Sequence, residues 1–442
     1  MPEVNSRDLR EVLNEPMPRT GVDQQEIFRV LRDVIFAGTR HNGHPRFFGY
    51  VASPGNAVAA LADLMASTLN TNLTSWRSGP APTEVEHVVI RWMKQIFGYP
   101  DTAMGLLVSG GSAAHLSALA AARAAKSDTN VARSGMRTVT RGLRIYMSEE
   151  GHFSITKAAS LLGIGSENVQ RIPTDDTLRI DLGLLEERIK ADLAAGHRPM
   201  CIVANEGAVG AGAVDPIADL AAIARRYDVW LHADAAYGGF AALAPSVRNL
   251  FQGIELADSI AVDPHKWLYS SLGCGCVLYR DATAAYAAFA EDAEYTRTVG
   301  LINDEAFAFW NYGPELSRRF RALNIWMLLK YAGADAIADA IEANIHCAKY
   351  FEQLVKNSDD FEMLAPVTLS VFCFRYKNGL DLDALNERIL AAVQRDGSSY
   401  ISNTRVKGQF ALRGCVLNFR TTEEDMRRLL EDVRRVALEI TD

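Results

Sequence analysis

Short unbroken apolar runs alternate along the middle of this chain with alanine-rich segments whose apolar positions recur at helical spacing. The runs at 105–108, 143–147, 200–204, 229–232, 259–262 and 274–279 lack the in–out alternation of a half-exposed strand. They read as strands covered on both faces, the pattern of a mostly parallel sheet. Between several of them, 112–125 and 216–226 read as helices, and 83–97 reads as an amphipathic helix with acidic residues in its first turn. This β–α alternation predicts an α/β fold with helices on both faces of the sheet. Residues 1–60 are helical and loop-like, broken by Pro45, Pro54 and several glycines. A long helix is expected from 318 through 331 and beyond. The tail then changes character, with strand-like runs at 369–375, 400–402 and 416–419, a helix at 383–394 and a last helix from Thr422. The expected division is an N-terminal segment over 1–60, a large domain over 61–330 and a small α+β domain over 331–442.

Bulk properties narrow the function. The chain has 442 residues, enough for a large core, and its net charge of −8 argues against a general nucleic-acid binder. The first residues, Met1-Pro-Glu-Val-Asn-Ser-Arg-Asp8, form no apolar signal core, and no apolar run reaches the roughly 18 residues of a membrane span. Six scattered cysteines, several in apolar strand-like runs, fit reduced, buried thiols of a cytosolic protein. Cys274-Gly-Cys276 lacks a second Cys or His pair at suitable spacing, so no metal site is expected.

The candidate chemistry gathers where strands end. In Ile260-Ala-Val-Asp-Pro-His-Lys-Trp-Leu-Tyr269, a buried strand runs into Asp263-Pro264 and presents His265 and Lys266 just beyond. Proline stops the ladder, and the carboxyl edge of an open α/β sheet is where ligands bind. A lysine there, flanked by Trp267, Leu268 and Tyr269, is a candidate amine nucleophile of the Schiff-base type, with a surface lysine after a turn as the alternative. Ser109-Gly110-Gly111-Ser112 joins a strand to a helix; it reads as a phosphate cradle or as a plain strand-to-helix turn. Asp234 ends another strand among small residues, placed either to pair with a protonated ring nitrogen or to cap a turn. His152 follows a third strand and reads either as a ring-stacking imidazole or as an ordinary packed histidine.

Together these pieces stand in the order of a fold-type-I pyridoxal-phosphate enzyme, and the chain resembles the group II pyridoxal-phosphate decarboxylases. That family includes aromatic L-amino acid, tyrosine and glutamate decarboxylases. The resemblance runs from about His44 to Thr422 through six segments. They are His44-Pro-Arg-Phe-Phe-Gly-Tyr50, Ser75-Trp-Arg-Ser-Gly-Pro-Ala-Pro-Thr-Glu84, Ser109-Gly-Gly-Ser112, His232-Ala-Asp-Ala-Ala-Tyr-Gly238, the Ala257-Asp-Ser to Trp267 segment and Ser317-Arg-Arg-Phe-Arg-Ala-Leu323. It implies a large domain built on a seven-stranded, mostly parallel sheet plus a small C-terminal α+β domain. It further implies that Lys266 forms the covalent link to the cofactor, Asp234 binds the pyridinium and His152 stacks on the ring. Gly110, Gly111, Ser112 and His265 then lie around the phosphate, with Asn205 and Ala236 also against the cofactor. A catalytic loop beyond the lysine carries Tyr295 as proton donor, and the loop's reach to a neighbouring site implies a homodimer.

Two segments depart from the family pattern. Asn205-Glu-Gly-Ala-Val209 stands where members carry an Ala-Gly-Thr-like run, and Ser112-Ala-Ala-His115 replaces an acidic-then-asparagine ending. The expected reaction is decarboxylation of an L-amino acid to the amine, with an aromatic substrate suggested by Phe47, Phe48, Tyr50 and Trp76. The alternatives are an aldehyde synthase that also deaminates oxidatively, or a decarboxylase of glutamate or 2,4-diaminobutyrate.

Overall fold

The computed structural model describes residues 5–291 and 303–441. Seven strands form one sheet: β1 Met104–Val108, β2 Leu143–Ser148, β3 Val169–Ile172, β4 Arg198–Asn205, β5 Trp230–Asp234, β6 Ser259–Val262 and β7 Gly275–Tyr279. Their spatial order is β1-β7-β6-β5-β4-β2-β3. All neighbours pair in parallel except β7, which runs antiparallel between β1 and β6. The mostly parallel α/β expectation therefore holds, and the apolar runs are explained by burial on both faces. Leu107, Ile202, Leu231, Ile260 and Leu278 join one apolar cluster; Leu106, Val203, Ala261 and Val277 join another on the opposite side. The pattern did not reveal β3, a four-residue edge strand with only Ile172 fully buried.

Helix Pro80–Phe97 starts with prolines in its first turn and stops at Gly98 in the left-handed region (φ 63°). Helix Gly111–Lys126 covers one sheet face, and its small residues Ala114, Ala118, Ala121 and Ala122 are buried against the strands. The long helix spans Ala322–Lys356 and breaks at Gly333, whose φ of 78° and ψ of 159° are not helical. Beyond it a second sheet of four antiparallel strands forms: β8 Phe361–Met363, β9 Val371–Tyr376, β10 Ser402–Val406 and β11 Gln409–Cys415. β10 and β11 join through Lys407 and Gly408, both at positive φ, the geometry a two-residue hairpin needs. Residues 416–419, expected as a strand, instead follow β11 as a loop, with the Val416 amide bonded to the Ser370 carbonyl.

Candidate active site

Strand register brings the candidate residues to one edge. Asn205 is the Cα partner of Asp234, and Asp234 of Ala261, so the carboxyl ends of β4, β5 and β6 lie side by side. The segments after β1 and β2 reach the same edge. A cavity of about 370 Å3 opens there, and Gly110, Gly111, Ser112, His152, Asn205, Asp234, Ala236, His265 and Lys266 all line it. All the cofactor-site residues expected from the sequence thus share one cavity, except that Tyr295 lies outside the described residues.

Lys266 is held by a group that the sequence reading left without a role. Its Nζ lies 3.0 Å from Asp263 Oδ2, while Trp267, Leu268 and Tyr269 turn away into the core. Apolar flanks therefore do not enclose the amine; a buried carboxylate three residues earlier orients it. His265 donates from Nδ1 to the Cys274 carbonyl (2.6 Å), which leaves its Nε2 on the cavity side, 3.8 Å from Asp263 Oδ2. The turn is braced from behind, since Asn344 Oδ1 accepts from Trp267 Nε1 (3.1 Å) and from the Tyr269 hydroxyl (2.8 Å). That bracing fixes Tyr269 in the left-handed region at φ 57°, a conformation costly for a side-chain-bearing residue.

Asp234 faces the cavity from the end of β5. Its Oδ1 receives the Ala236 amide (3.2 Å) and meets His115 Nε2 (3.4 Å), so both protein contacts fall on one oxygen. Burial alone would push this carboxyl up; the hydrogen bond from His115 and the nearby Lys266 ammonium outweigh it and hold Asp234 below the ordinary range. His152 caps helix Phe153–Leu161, and its Nδ1 meets the Ser154 hydroxyl (2.6 Å) and the Ser154 amide (3.3 Å). With Nδ1 accepting the amide proton, the neutral ring carries its hydrogen on Nε2. Burial, its largest influence, pushes its pKa down and keeps it neutral.

The unspent groups match a phosphorylated heteroaromatic ring such as pyridoxal phosphate. Asn205 Nδ2 is buried with no partner among the described residues, an expensive state for a donor unless a ligand takes it. As first residues of their helix, Gly111 and Ser112 have amides with no helical acceptor. Close approach is enforced: a Cβ on Gly111 would lie 2.8 Å from Asp263 Oδ2 and 3.3 Å from Ala236 Cβ. Besides Asp263, the sequence reading also missed Arg413, which stands behind the cavity wall, bonded to the Val209 carbonyl, and does not itself line the cavity. It is buried, donates to the carbonyls of Val209 (2.9 Å) and Tyr50 (2.9 Å), and keeps Nη2 without a partner. It lies far along the chain from the motifs, so no local pattern marked it.

The four aromatics taken as substrate markers do not line this cavity. Phe48 is buried in the small-domain core, Phe47 stacks on Tyr400 at 5.0 Å, Tyr50 bonds the Tyr400 hydroxyl, and Trp76 donates to Glu84. A larger hollow of about 690 Å3 lies elsewhere, among Trp92, Phe97, Phe251 and Leu329. Its lining includes Arg248, Glu255 and Lys330 but no histidine, and size alone does not make a site.

Comparison with known proteins agrees with this geometry. Residues 6–377 match the model of the pyridoxal-dependent decarboxylase conserved domain. The chain is 35% identical over 443 aligned positions to an aromatic-L-amino-acid decarboxylase of Bacillus atrophaeus, covering 99% of this chain and 90% of the relative. It superposes with a TM-score of 0.92 and 30% identity on the crystal structure of Oryza sativa TDC with PLP and tryptamine, covering 100% of this chain and 93% of that one. A Rhodiola rosea 4-hydroxyphenylacetaldehyde synthase structure is also similar, with a TM-score of 0.88, 29% identity and coverage of 100% and 93%.

Proposed function

The chain belongs to the pyridoxal-dependent decarboxylase family and is a carboxy-lyase that works with pyridoxal phosphate; from that premise we propose that it decarboxylates an aromatic L-amino acid to the amine and carbon dioxide. The observation that carries the reading is the meeting of Lys266, Asp234, Asn205 and His152 in one cavity at the sheet edge. The aromatic preference is supported by relatives named for aromatic substrates rather than by the four aromatics discussed above.

Bound there, the cofactor supplies an electron-withdrawing ring that takes up the electron pair left when carbon dioxide departs. In our reading Lys266 anchors it, with Asp263 keeping the amine in place when it is free. The amides of Gly111 and Ser112, with His265 and Gly110, receive the phosphate. Asp234 Oδ2 would hold the ring nitrogen, Asn205 Nδ2 would supply a donor, and Ala236 and the neutral His152 would help enclose the ring. Tyr295 returns a proton to Cα.

We also read the active form as a homodimer. The first helical segments, Ser6–Leu13, Gln24–Val30 and Leu31–Phe36, bury none of their residues within one subunit. Val12, Ile27, Phe28, Phe36, Leu64 and Leu69 are all more than half exposed. Such short helices need an apolar face to pack on, and a second copy supplies one. A cytosolic setting is supported by six free, buried cysteines. The division near Gly333 into large and small domains is supported by a separate apolar cluster around Phe351, Phe372 and Phe374.

A panel of amino acids offered to the cofactor-loaded protein, with products read by mass spectrometry, tests the proposal. The expected product is the amine of an aromatic substrate. Aldehyde with peroxide would replace our reading by the aldehyde-synthase one, and turnover confined to glutamate or diaminobutyrate would overturn the aromatic assignment.

A further inference from the structure

From the cavity wall, where His115 stands beside Asp234, a buried chain of polar side chains runs into the sheet. His115 Nε2 faces Asp234 Oδ1 at 3.4 Å. His115 Nδ1 meets His232 Nε2 at 2.9 Å, and His232 Nδ1 meets the Ser259 hydroxyl at 2.9 Å. The Ser259 oxygen accepts from Trp230 Nε1 at 2.8 Å. His115, His232 and Ser259 are each no more than 1% exposed, so water does not complete their bonding.

The far end sets the direction of the whole chain. An indole N–H donates and never accepts. Ser259 therefore receives from Trp230 and turns its own hydrogen to His232 Nδ1. His232, accepting there, carries its hydrogen on Nε2 and gives it to His115 Nδ1. His115 in turn carries its hydrogen on Nε2, the nitrogen that faces Asp234. In this direction the four side chains satisfy one another with both imidazoles neutral. The opposite polarity leaves the Ser259 hydrogen without an acceptor in a fully buried site. It also points a bare nitrogen lone pair, or a second positive charge, at the residue that must serve the ring nitrogen. Burial, its largest influence, pushes His232 down to about 3, in keeping with a neutral ring.

We propose that His115, oriented by His232, Ser259 and Trp230, is a positioning residue that holds a neutral imidazole N–H on Asp234. It thereby keeps the carboxylate turned with Oδ2 toward the cofactor's ring nitrogen. The departure Ser112-Ala-Ala-His115 thus gains a role: the first turns of the phosphate-binding helix also orient the partner of the ring. The consequence for the cofactor rests on the function proposed above, whereas the hydrogen positions do not.

The test has two parts. In the full-length protein labelled with 15N-histidine, with and without pyridoxal phosphate, the side-chain shifts of His115 and His232 should both report hydrogen on Nε2 and none on Nδ1. A doubly protonated His115, or hydrogen on its Nδ1, overturns the proposal. His115→Leu should weaken pyridoxal-phosphate affinity, read by visible absorbance, about tenfold, as loss of one hydrogen bond to a charged group implies. His115→Gln, which can still present an N–H to Asp234, should stay within roughly threefold of the parent. Equal losses in both variants, or no loss in either, overturn it. If His115→Leu fails to fold, the tautomer measurement on the parent decides. If the parent itself binds no pyridoxal phosphate, the proposed function fails, and the shifts still decide this inference.

Discussion

Replacing Glu206 with glutamine should make stability less sensitive to pH. Glu206 is fully buried at the end of β4, and neither carboxyl oxygen has a hydrogen-bond partner among the described residues. Burial, then the nearby Asp215 and Asp234, pushes its pKa well above the ordinary range, so the folded protein keeps it protonated. The unfolded chain releases that proton above about pH 4.3. With the folded pKa raised, the contribution of this group is fully present below the unfolded value and is lost as pH rises toward the folded one. Over that window stability falls with pH more steeply in the parent than in the variant, by at most about 1.4 kcal/mol per pH unit. Glutamine adds a constant cost, because its buried amide also lacks partners, so the slope is the readout and the offset is not. Asp215, pushed up to about 6 by burial against two backbone donors, is present in both proteins and cancels. Urea unfolding of the cofactor-loaded pair, at one protein concentration and several pH values, measures the difference. A stability difference that stays flat across the window would refute a buried, protonated Glu206.

Other outcomes follow from the same structure. Arg318 and Glu86 are both buried, joined to each other and to the Leu107 backbone just before the Ser109–Ser112 turn. Glu86→Ala leaves the guanidinium unpaired and should cost about 3–5 kcal/mol, whereas Glu86→Leu with Arg318→Met should cost far less; a double-mutant unfolding cycle checks this. Gly111→Ala should weaken cofactor binding in an equilibrium titration, because its Cβ would meet Asp263 Oδ2 at 2.8 Å. Tyr295→Phe should lower amine formation while leaving cofactor binding unchanged, read by product analysis and visible absorbance on the same samples.

Much of this was legible because the chemistry sits where strands end. Unalternating runs such as 200–204 and 259–262 announced strands buried on both faces, and strand ends placed Asp234 and Lys266 on a common edge. What stayed hidden was non-local or two-sided. His115 looked like a bare departure because its partner His232 lies 117 positions away. Asp263 was read as the residue before a proline, although its carboxylate is the group that holds Lys266. Phe48 was taken for a substrate contact when packing against Phe372 had already claimed it. Edge strand β3, largely uncovered, lacked the apolar run by which its neighbours were found.

Lys266 as the anchor of pyridoxal phosphate admits one direct measurement: borohydride reduction of the loaded protein, digestion, and mass analysis of its peptides. The expected result is a reduced pyridoxyl-phosphate adduct on Lys266, absent from Lys266→Ala, in a protein that releases carbon dioxide and amine from an aromatic L-amino acid. An adduct on another lysine, or full turnover by Lys266→Ala, would contradict the account.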